Sequence, residues 1–212
     1  MKSDYSLQPI DALSPAAVAG VRGIYEDGFP AYQRADFAEL TEQPEAGEFS
    51  LALVRGSQPC GFAMLRALGD TGWVYLRYLV VDRGQRGQGL GGTAWDLLTA
   101  RLRAAGFTLL VWDVDDPAEP GHGPAEAGIR SRRISFYERQ GGRLLPVTGY
   151  RAPHVGPGPG EPGWEPMLLM AAPLAADAAG LPVRAVVDAV YRYRWHVEPG
   201  DPQLADVRIN SE

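Results

Sequence analysis

A cluster of glycines lies between an apolar run and a helical pattern near the middle of the sequence. The apolar run is Trp73–Val81, and helical spacing begins at Thr93. Glycine has no Cβ, so the backbone of such a segment can approach a ligand closely and adopt turn conformations at low steric cost. Where the segment opens a helix, N–H groups without intrahelical partners and the positive end of the helix dipole favour an anion. The residues that predict a phosphate-binding loop are Gly84, Gly87, Gly89, Gly91 and Gly92, with the charges of Arg83 and Arg86 nearby.

Several kinds of glycine-rich loop bind phosphate, and the surrounding residues distinguish them. A P-loop requires Lys and then Ser or Thr after its last glycine, whereas this chain has Gly92-Thr93 without a lysine. Gly87, Gly89 and Gly92 match the dinucleotide-binding spacing, and Asp113 follows about twenty residues later. Too few β-α pairs follow the loop to complete a dinucleotide-binding fold. A strand-to-helix connection that binds no ligand is the remaining alternative.

The sequence Arg86-Gly-Gln-Gly-Leu-Gly91 resembles the acetyl-CoA loop of the GNAT superfamily of N-acetyltransferases, Arg/Gln-x-x-Gly-x-Gly/Ala. Arg86, Gly89 and Gly91 fill its defined positions, and the apolar residues Leu79-Val-Val81 precede it as in the family. The resemblance implies that loop N–H groups hold the pyrophosphate of acetyl-CoA. It also implies that backbone groups near Leu79 and Val81 align the pantetheine arm and polarise the thioester carbonyl. The implied cofactor-binding residues are Leu79, Val81, Arg86, Gly87, Gln88, Gly89, Leu90, Gly91, Gly92 and Thr93.

A second segment, Ile134-Ser-Phe-Tyr-Glu-Arg-Gln-Gly-Gly142, resembles the later GNAT helix that carries a Phe-Tyr pair and ends in glycine. By composition alone it indicates a half-buried core tyrosine and a solvated arginine face. The resemblance implies instead that Tyr137 lies near the acetyl-CoA sulfur and protonates the departing thiolate. The family often has Asn seven residues earlier, where this chain has Arg130, so the resemblance does not specify the cofactor contacts of this helix.

The resemblance predicts an enzyme that moves an acetyl group from acetyl-CoA to a primary amine of a small molecule or peptide, by direct attack in a ternary complex. A base or a water chain must accept the amine proton. The sequence leaves Tyr75, Asp113 and Asp115 as candidates for this base, each acting through water. One alternative is a non-catalytic acetyl-CoA-binding regulatory module, because the glycine loop specifies the ligand and not the turnover. A dinucleotide-dependent oxidoreductase is the other.

Around the loop the sequence predicts an α/β (α+β) fold with a mixed, mostly antiparallel sheet and helices on both faces. Ser14-Pro15 has the N-cap and first-turn residues of a helix reaching about Tyr25. The strands predicted at 73–81 and 107–112 form a β-α-β unit with the helix between them, and strands connected in this way are parallel. The other predicted elements are strands at 5–10, 49–54, 60–67, 144–147 and 166–170, and helices at about 34–41, 93–105 and 128–140.

Two irregular segments and three aromatic residues are weaker candidates for the acceptor site. Residues 113–128 read as a long acidic loop, which either attracts an amine or is a solvated insertion. Residues 149–164 join the last two strands and carry potential pocket residues. These are Tyr150, His154 and Trp164, although His154 has the context of an exposed loop residue. Near the N-terminus, Phe29, Tyr32 and Phe37 resemble the segment where many GNAT enzymes build one wall of the acceptor site, although aromatics on short helices are usually core.

The C-terminal residues leave the family pattern after Pro173. Val183, Val186, Val187 and Val190 have helical spacing and predict an amphipathic helix from about Pro182 to Trp195. We therefore predict an acetyltransferase domain at 1–175 and a C-terminal extension at 176–212. The extension packs either on its own domain or on a second subunit in a homodimer.

Composition narrows the function classes. The chain has 212 residues, 45% of them hydrophobic and 22% charged, which is an ordinary globular composition. A net charge of −6 disfavours a nucleic-acid surface and suits a neutral or cationic acceptor. The lone Cys60 and an N-terminal sequence without signal-peptide features predict a cytoplasmic protein. We predict no membrane span and no metal site.

Overall fold

The structure is a computed structural model that describes residues 4–42, 44–121, 123–153, 163–175 and 180–210, with the side chain of Tyr32 left out. The strands are β1 Tyr5–Pro9, β2 Glu48–Arg55, β3 Gln58–Ala67, β4 Trp73–Val81, β5 Leu109–Asp115, β6 Arg143–Leu144, β7 Val147–Thr148, β8 Arg151–Pro153, β9 Trp164–Pro173 and β10 Arg208–Ile209. The helices are α1 Pro15–Gly28, α2 Phe37–Thr41, α3 Leu90–Ala104, α4 Pro124–Arg139, α5 Val183–Ala189 and α6 Pro202–Ala205.

The described chain divides into two compact units. The first unit contains the residues up to 67 together with 76–106, and the second contains 68–75, 107–153 and 163–210. Strand β4 contributes to both, since it enters the second unit at residues 73–75 and the first at 76–81.

The first unit is an antiparallel meander with helices on both faces. β1 pairs with β2 from Tyr5↔Arg55 to Pro9↔Leu51, and β2 pairs with β3 in an antiparallel register. Neighbouring strand residues face opposite ways. Ala52 and Val54 pack with α1 and α2, whereas Leu53 packs with Leu90 and Ala94 of α3. The predicted strands at 5–10, 49–54 and 60–67 are therefore confirmed.

Helix α1 illustrates how local sequence sets an element. Its N-cap is Ser14, whose hydroxyl accepts from the Ala17 N–H at 3.3 Å, and Pro15 occupies the first turn. The helix buries Val21 and Tyr25 and continues to Gly28, one turn beyond the predicted end. A Cβ at Gly28 would lie 2.3 Å from the Cγ2 atom of Val80, so close packing requires glycine at this position.

The second unit carries the parallel pair and the strands that follow it. β4 pairs with β5 in parallel from Trp73↔Leu109 to Tyr75↔Val111, and β5 pairs antiparallel with β9 over its whole length. The edge strands β6 and β8 also pair antiparallel with β9. The predicted mixed, mostly antiparallel sheet with helices on both faces is thus confirmed.

The C-terminal helix packs on this second unit. Val186, Val187 and Val190 are 0% exposed and contact a core that includes Leu109 and Val111 of β5. After α5 the chain continues as a π-helical turn, Val190–Arg194, close to the predicted end at Trp195. The short α6 and β10 follow, and β10 pairs with β7. The sequence did not predict α6 and β10, because such short elements depend on tertiary contacts.

Four predicted boundaries are wrong in instructive ways. Helix α3 begins at Leu90, not Thr93, because Gly89 in a left-handed conformation supplies the N-cap. Helix α2 begins at Phe37, where the Asp36 side chain accepts from the Ala38 N–H at 2.7 Å. Strand β5 runs to Asp115, and α4 begins at Pro124. The predicted acidic loop 113–128 is therefore much shorter.

The last predicted loop also differs. Part of residues 149–164 forms β8, which pairs with the start of β9 through Arg151↔Pro166 and Pro153↔Trp164. The predicted strand 144–147 is divided into β6 and β7, since Pro146 between them has no N–H to donate. His154 lies outside the described residues. No helix in the described ranges is long and apolar enough to cross a membrane.

Candidate functional site

The glycine loop follows β4 directly and is shaped by its own residues. Asp82 accepts from the Gly84 N–H and from the Gln85 side-chain amide, both at 3.0 Å, and this holds a 3-10 turn at Arg83–Gln85. These two hydrogen bonds lower the pKa of Asp82. Gly87 and Gly89 then take φ values of 77° and 81°, in the left-handed region that favours glycine.

The loop ends at a helix N-terminus that is open to an anion. Gly89 is the N-cap of α3, no side chain caps this end, and the first turn contains no acidic residue. The first intrahelical acceptor is the Gly89 carbonyl, which binds the Thr93 N–H at 3.1 Å. The N–H groups of Leu90, Gly91 and Gly92 precede that bond, as expected for the start of any helix. Apart from the adjoining residues, no atom in the described part of the chain lies within 4 Å of where a Cβ at Gly87 or Gly89 would stand, which leaves room there for a ligand.

The predicted cofactor-binding residues fall into two groups. Arg86 through Thr93 form this continuous loop and helix start, with the Arg86 Nε donating to the Val81 carbonyl at 3.4 Å. The side chains of Leu79, Val81 and Leu90 pack instead in an apolar cluster with Leu53 and Cys60. The packing of these side chains leaves their backbone groups for a ligand, the kind of contact that the family resemblance implies for Leu79 and Val81.

Tyr137 lies on α4 against the second unit's sheet. Its ring centroid is 4.8 Å from that of Trp112 and 5.1 Å from that of Phe136, and the residue is 9% exposed. Burial raises the pKa of Tyr137 to about 12, against an opposing effect of the Arg133 charge. The phenol is consequently neutral at pH 7 and retains its O–H for donation.

Arg130, which stands where the family pattern has asparagine, forms ion pairs and a hydrogen bond within the chain. Its guanidinium contacts Glu119 at 2.7 Å, Glu126 at 3.4 Å and the Asp116 carbonyl at 2.9 Å. The Arg130 side chain is 7% exposed. A buried charge requires such partners, so Arg130 fixes the segment after β5 onto α4.

The acidic residues of this region are mostly neutralised within the chain. Asp115 accepts from Arg133 at 2.5 Å, and Glu119 and Glu126 are paired with Arg130. The structure therefore favours a structural role for the acidic segment over the attraction of an amine substrate.

Asp113 is the exception, because it is surrounded by hydroxyl groups. The Tyr150 hydroxyl donates to Asp113 Oδ2 at 3.1 Å, and Tyr75 donates a second hydrogen bond. Burial raises the pKa of Asp113, while these hydrogen bonds and the charge of Arg194 oppose the rise. Asp113 is partly exposed, whereas Tyr75 and Tyr150 are each 2% exposed. A carboxylate in this setting is a candidate proton acceptor.

The sequence predicted some members of this cluster and missed others. Tyr75 and Asp113 appear among the candidate bases and Tyr150 among the pocket residues, but nothing in the spacing connects them. Arg194 and Trp195 were not predicted at all, since a helix end far along the chain gives no local signal of its contacts. We name Asp113, Tyr75, Tyr150, Arg194 and Trp195 the Asp113 cluster.

Two of the three aromatic candidates near the N-terminus, Phe29 and Phe37, pack in the core of the first unit. Phe37 is 5% exposed and packs with Tyr25 and Phe62 at ring distances of 5.8 Å. Phe29 packs against Tyr25 and Tyr78. The Tyr32 side chain lies outside the described part. Among the described residues, no group of three or more His, Cys, Asp or Glu is arranged to hold a metal ion.

Comparison with known proteins gives one family and one fold. The model of the acetyltransferase (GNAT) family matches residues 18–141. No curated protein sequence matches the chain.

Solved structures share the fold at low sequence identity. A GNAT-family protein from Bacteroides thetaiotaomicron has a TM-score of 0.67 at 19% identity, covering 91% of this chain and 99% of that one. The ribosomal-protein-S18-alanine N-acetyltransferase of Escherichia coli has a TM-score of 0.55 at 19% identity, covering 84% and 98%. An aminoglycoside 6′-N-acetyltransferase in complex with coenzyme A has a TM-score of 0.58 at 18% identity, covering 80% and 97%.

Proposed function

The chain belongs to the GNAT family of acetyltransferases, and on that premise we propose that it acetylates a primary amine of a small molecule or peptide with acetyl-CoA. The observation that carries the proposal is the start of α3. There, left-handed Gly87 and Gly89 lead into a helix N-terminus without a side-chain cap. A helix end of this kind suits the pyrophosphate of a CoA thioester.

The loop residues fit acetyl-CoA by their chemistry. The N–H groups from Arg86 to Gly92 would hold the pyrophosphate, with room beside Gly87 and Gly89, where a Cβ would meet none of the described residues other than its chain neighbours within 4 Å. Backbone groups of Leu79 and Val81 would align the pantetheine arm. When bound, acetyl-CoA supplies an activated acyl group.

The transfer is a direct displacement in a ternary complex. The lone pair of the unprotonated amine attacks the thioester carbonyl carbon, a C–N bond forms, and the C–S bond breaks with its electron pair moving to sulfur. The amine gives up a proton and the sulfur gains one, so the products are an acetamide and free CoA.

We assign the amine proton to Asp113 and the donation to sulfur to Tyr137. Asp113 is partly exposed and held by two phenols, whereas Asp115 is already paired with Arg133 at 2.5 Å. This contrast favours Asp113 over Asp115 as the base. Tyr137 feels the charge of Asp113, so the two groups lie within electrostatic range of each other. Tyr137 keeps its O–H because its pKa is about 12.

Two observations support the proposed class of acceptor: the net charge of the chain, and the acceptors of other proteins with this fold. The net charge of −6 suits a cationic acceptor. Proteins of this fold include enzymes whose names specify a ribosomal protein alanine and an aminoglycoside as acceptors, so both peptides and small amines are within its reach. A cytoplasmic location agrees with the free, buried thiol of Cys60. A homodimer through the valine face of α5 is disfavoured, because that face is already covered within one chain.

The test is a pair of measurements on the purified protein. Titration with acetyl-CoA and with NADH separates a CoA-binding protein from a dinucleotide enzyme. Release of free thiol in a screen of amines then separates an enzyme from a binding module. Tight acetyl-CoA binding with no thiol release for any amine would overturn the catalytic proposal and leave the module.

A further inference from the structure

The C-terminal segment contributes side chains to the surroundings of the proposed base. This segment begins at Val183, well beyond the family match at residues 18–141. It is fixed in place by its buried valines and by Tyr191, which is 0% exposed. The Tyr191 hydroxyl accepts from the Arg151 N–H and donates to the Arg151 carbonyl, each at 3.0 Å. The segment is therefore a built part of the second unit.

A chain of hydrogen bonds leads from this segment to Asp113. The Trp195 indole N–H donates to the Tyr150 hydroxyl oxygen at 3.1 Å, and that hydroxyl donates to Asp113 Oδ2 at 3.1 Å. A hydroxyl that accepts a hydrogen bond becomes a better donor, because successive hydrogen bonds polarise one another. The hydrogen bond from Trp195 therefore strengthens the hydrogen bond that Tyr150 donates to the carboxylate of Asp113.

Arg194 acts on the same carboxylate through its charge. It is 7% exposed, and its guanidinium carbon lies 3.9 Å from the Trp195 ring centroid and 5.8 Å from that of Tyr75. Stacking on Trp195 orders the planar cation, and its positive charge favours the ionised form of Asp113. Both residues are carried by the end of a π-helical turn, an irregularity that often occurs at functional sites.

We propose that residues 183–197 form a positioning element for the acetyl transfer, in which Trp195, through Tyr150, and Arg194, through its charge, hold Asp113 ready to accept the amine proton. This inference rests on the proposed function for its catalytic meaning. The arrangement of the carboxyl group does not depend on it, and can be tested in the protein without substrates.

Several other groups also act on Asp113, and the test must separate them. Tyr75 on β4 donates to the carboxylate, and Asp115 on the same strand opposes its ionisation. The electrostatic effects of Asp113 extend to Tyr191 on the C-terminal segment and to Tyr137 on α4. None of these groups is changed by substitution of Trp195.

The first experiment follows the side-chain carboxyl carbon of Asp113 by NMR across pH in the free protein. In Trp195→Phe the indole donor is lost while an aromatic ring remains, so we expect the pKa of Asp113 to rise above that of the wild type. The matched control is Trp73→Phe. Trp73, like Trp195, is a partly buried tryptophan that packs against the core of the second unit. The same Asp113 titration in both variants would refute the positioning role of Trp195.

Two further variants keep the test decisive if Trp195→Phe folds poorly. Tyr150→Phe removes the middle of the hydrogen-bond chain and should move the titration in the same direction. Arg194→Met should also raise the pKa of Asp113, whereas Arg194→Lys keeps the charge and should restore most of the wild-type value. An unshifted titration in Arg194→Met would show that the arginine serves packing only.

The second experiment uses the acetyl-transfer assay. In the pH profile of kcat, activity should fall on the acidic side as Asp113 becomes protonated. We expect Trp195→Phe to shift this acidic limb to higher pH and to lower kcat about fivefold there, which corresponds to the free energy of one typical hydrogen bond. The KM for acetyl-CoA should not change. If the NMR shift occurs but no amine is acetylated, the cluster is correct and the proposed function is wrong. If acetylation occurs with an unshifted pH profile, the positioning role is wrong and the function stands.

Discussion

The proposed cofactor loop and the proposed base, with the Asp113 cluster around it, are built from opposite kinds of groups. In the loop the groups are backbone N–H groups of consecutive residues, whose geometry is set by the φ values of Gly87 and Gly89. Around Asp113 the groups are side chains from β4, β5, the segment before β8 and the C-terminal segment. The loop is local and open, whereas the cluster is assembled from distant residues and mostly buried.

This difference predicts how each region responds to substitution. Backbone N–H groups cannot be removed one at a time by changing side chains, so the loop is vulnerable mainly to a Cβ in the wrong place. The cluster loses a defined interaction with each side chain. Substitutions in the loop should therefore abolish binding, and those in the cluster should give graded, pH-dependent effects.

The largest effect is expected in the loop. Gly89→Val should abolish acetyl-CoA binding, because valine disfavours a φ of 81° and its branched side chain enters the space assigned to the pyrophosphate. Calorimetric titration of the folded variant measures the loss. The matched control is Gly106→Val. Gly106 has a similar φ of 87° and, like Gly89, no contact of its Cβ position within 4 Å among the described residues beyond its chain neighbours, but it lies beyond the other end of α3. Retained affinity in Gly89→Val would break the assignment of the loop.

The next effect concerns the base. Asp113→Asn should lower kcat by about 10²–10⁴-fold, the usual contribution of a general base, and leave acetyl-CoA affinity within a few-fold. Asp115→Asn is the matched comparison, since it changes a carboxylate on the same strand that is paired with Arg133. A larger loss of kcat in Asp115→Asn than in Asp113→Asn would reverse the assignment.

A smaller effect is expected at Tyr137. Tyr137→Phe should lower kcat by about 10²-fold, the lower end of the range for acid catalysis. Its pKa of about 12 lies above the roughly 8.5 of a thiol, so complete proton transfer to sulfur is unfavourable and the expected contribution of Tyr137 is small. For the same reason Tyr137 should produce no basic limb in the pH profile below about pH 11.

The control for this variant is Tyr193→Phe, a change of the same kind on the C-terminal segment. Kinetics with the acetylated amine measure both variants. If Tyr137→Phe turns over at the wild-type rate, Tyr137 is a packing residue against Trp112 and its catalytic role must be abandoned.

The smallest effect is one of stability. The pKa of Asp113 is higher in the folded protein than its ordinary value, so its contribution to stability is complete below the unfolded pKa of about 3.9 and is lost as pH rises through the folded pKa. Asp113→Asn has no such loss. The Tm of the variant minus that of the wild type should therefore increase with pH above about 4. If this difference in Tm does not depend on pH, the pKa of Asp113 is not raised in the folded protein, and the assignment of Asp113 as the base is weakened.

Much of the fold was predictable because the responsible signals are local. Trp73–Val81 is a strand at the predicted bounds, Ser14 and Pro15 begin α1, and the valines of α5 face the core. The starts of α2 and α3 were missed although local caps at Asp36 and Gly89 set them. The end of β5 was missed for a tertiary reason. The strand pairs with β9 as far as Asp115↔Met167, and Tyr150 and Arg133 contact the carboxylates of Asp113 and Asp115, which no window of the sequence reveals.

The sequence by itself determined the loop. Its glycines, its position between a strand and a helix, and its spacing specify a backbone conformation, because φ and ψ depend mainly on the residues that adopt them. The same information placed the chain with acetyltransferases before any contact was known.

Only the tertiary structure decided which acidic residues are available for chemistry. The sequence presents Asp113, Asp115, Glu119 and Glu126 as equivalent charges in one segment. In the folded chain Asp115, Glu119 and Glu126 form ion pairs with arginines. Asp113 instead accepts hydrogen bonds from two tyrosines and interacts with the charge of Arg194, which is remote in sequence. The availability of a carboxylate depends on partners brought together from remote parts of the chain, and the local sequence carries no record of them.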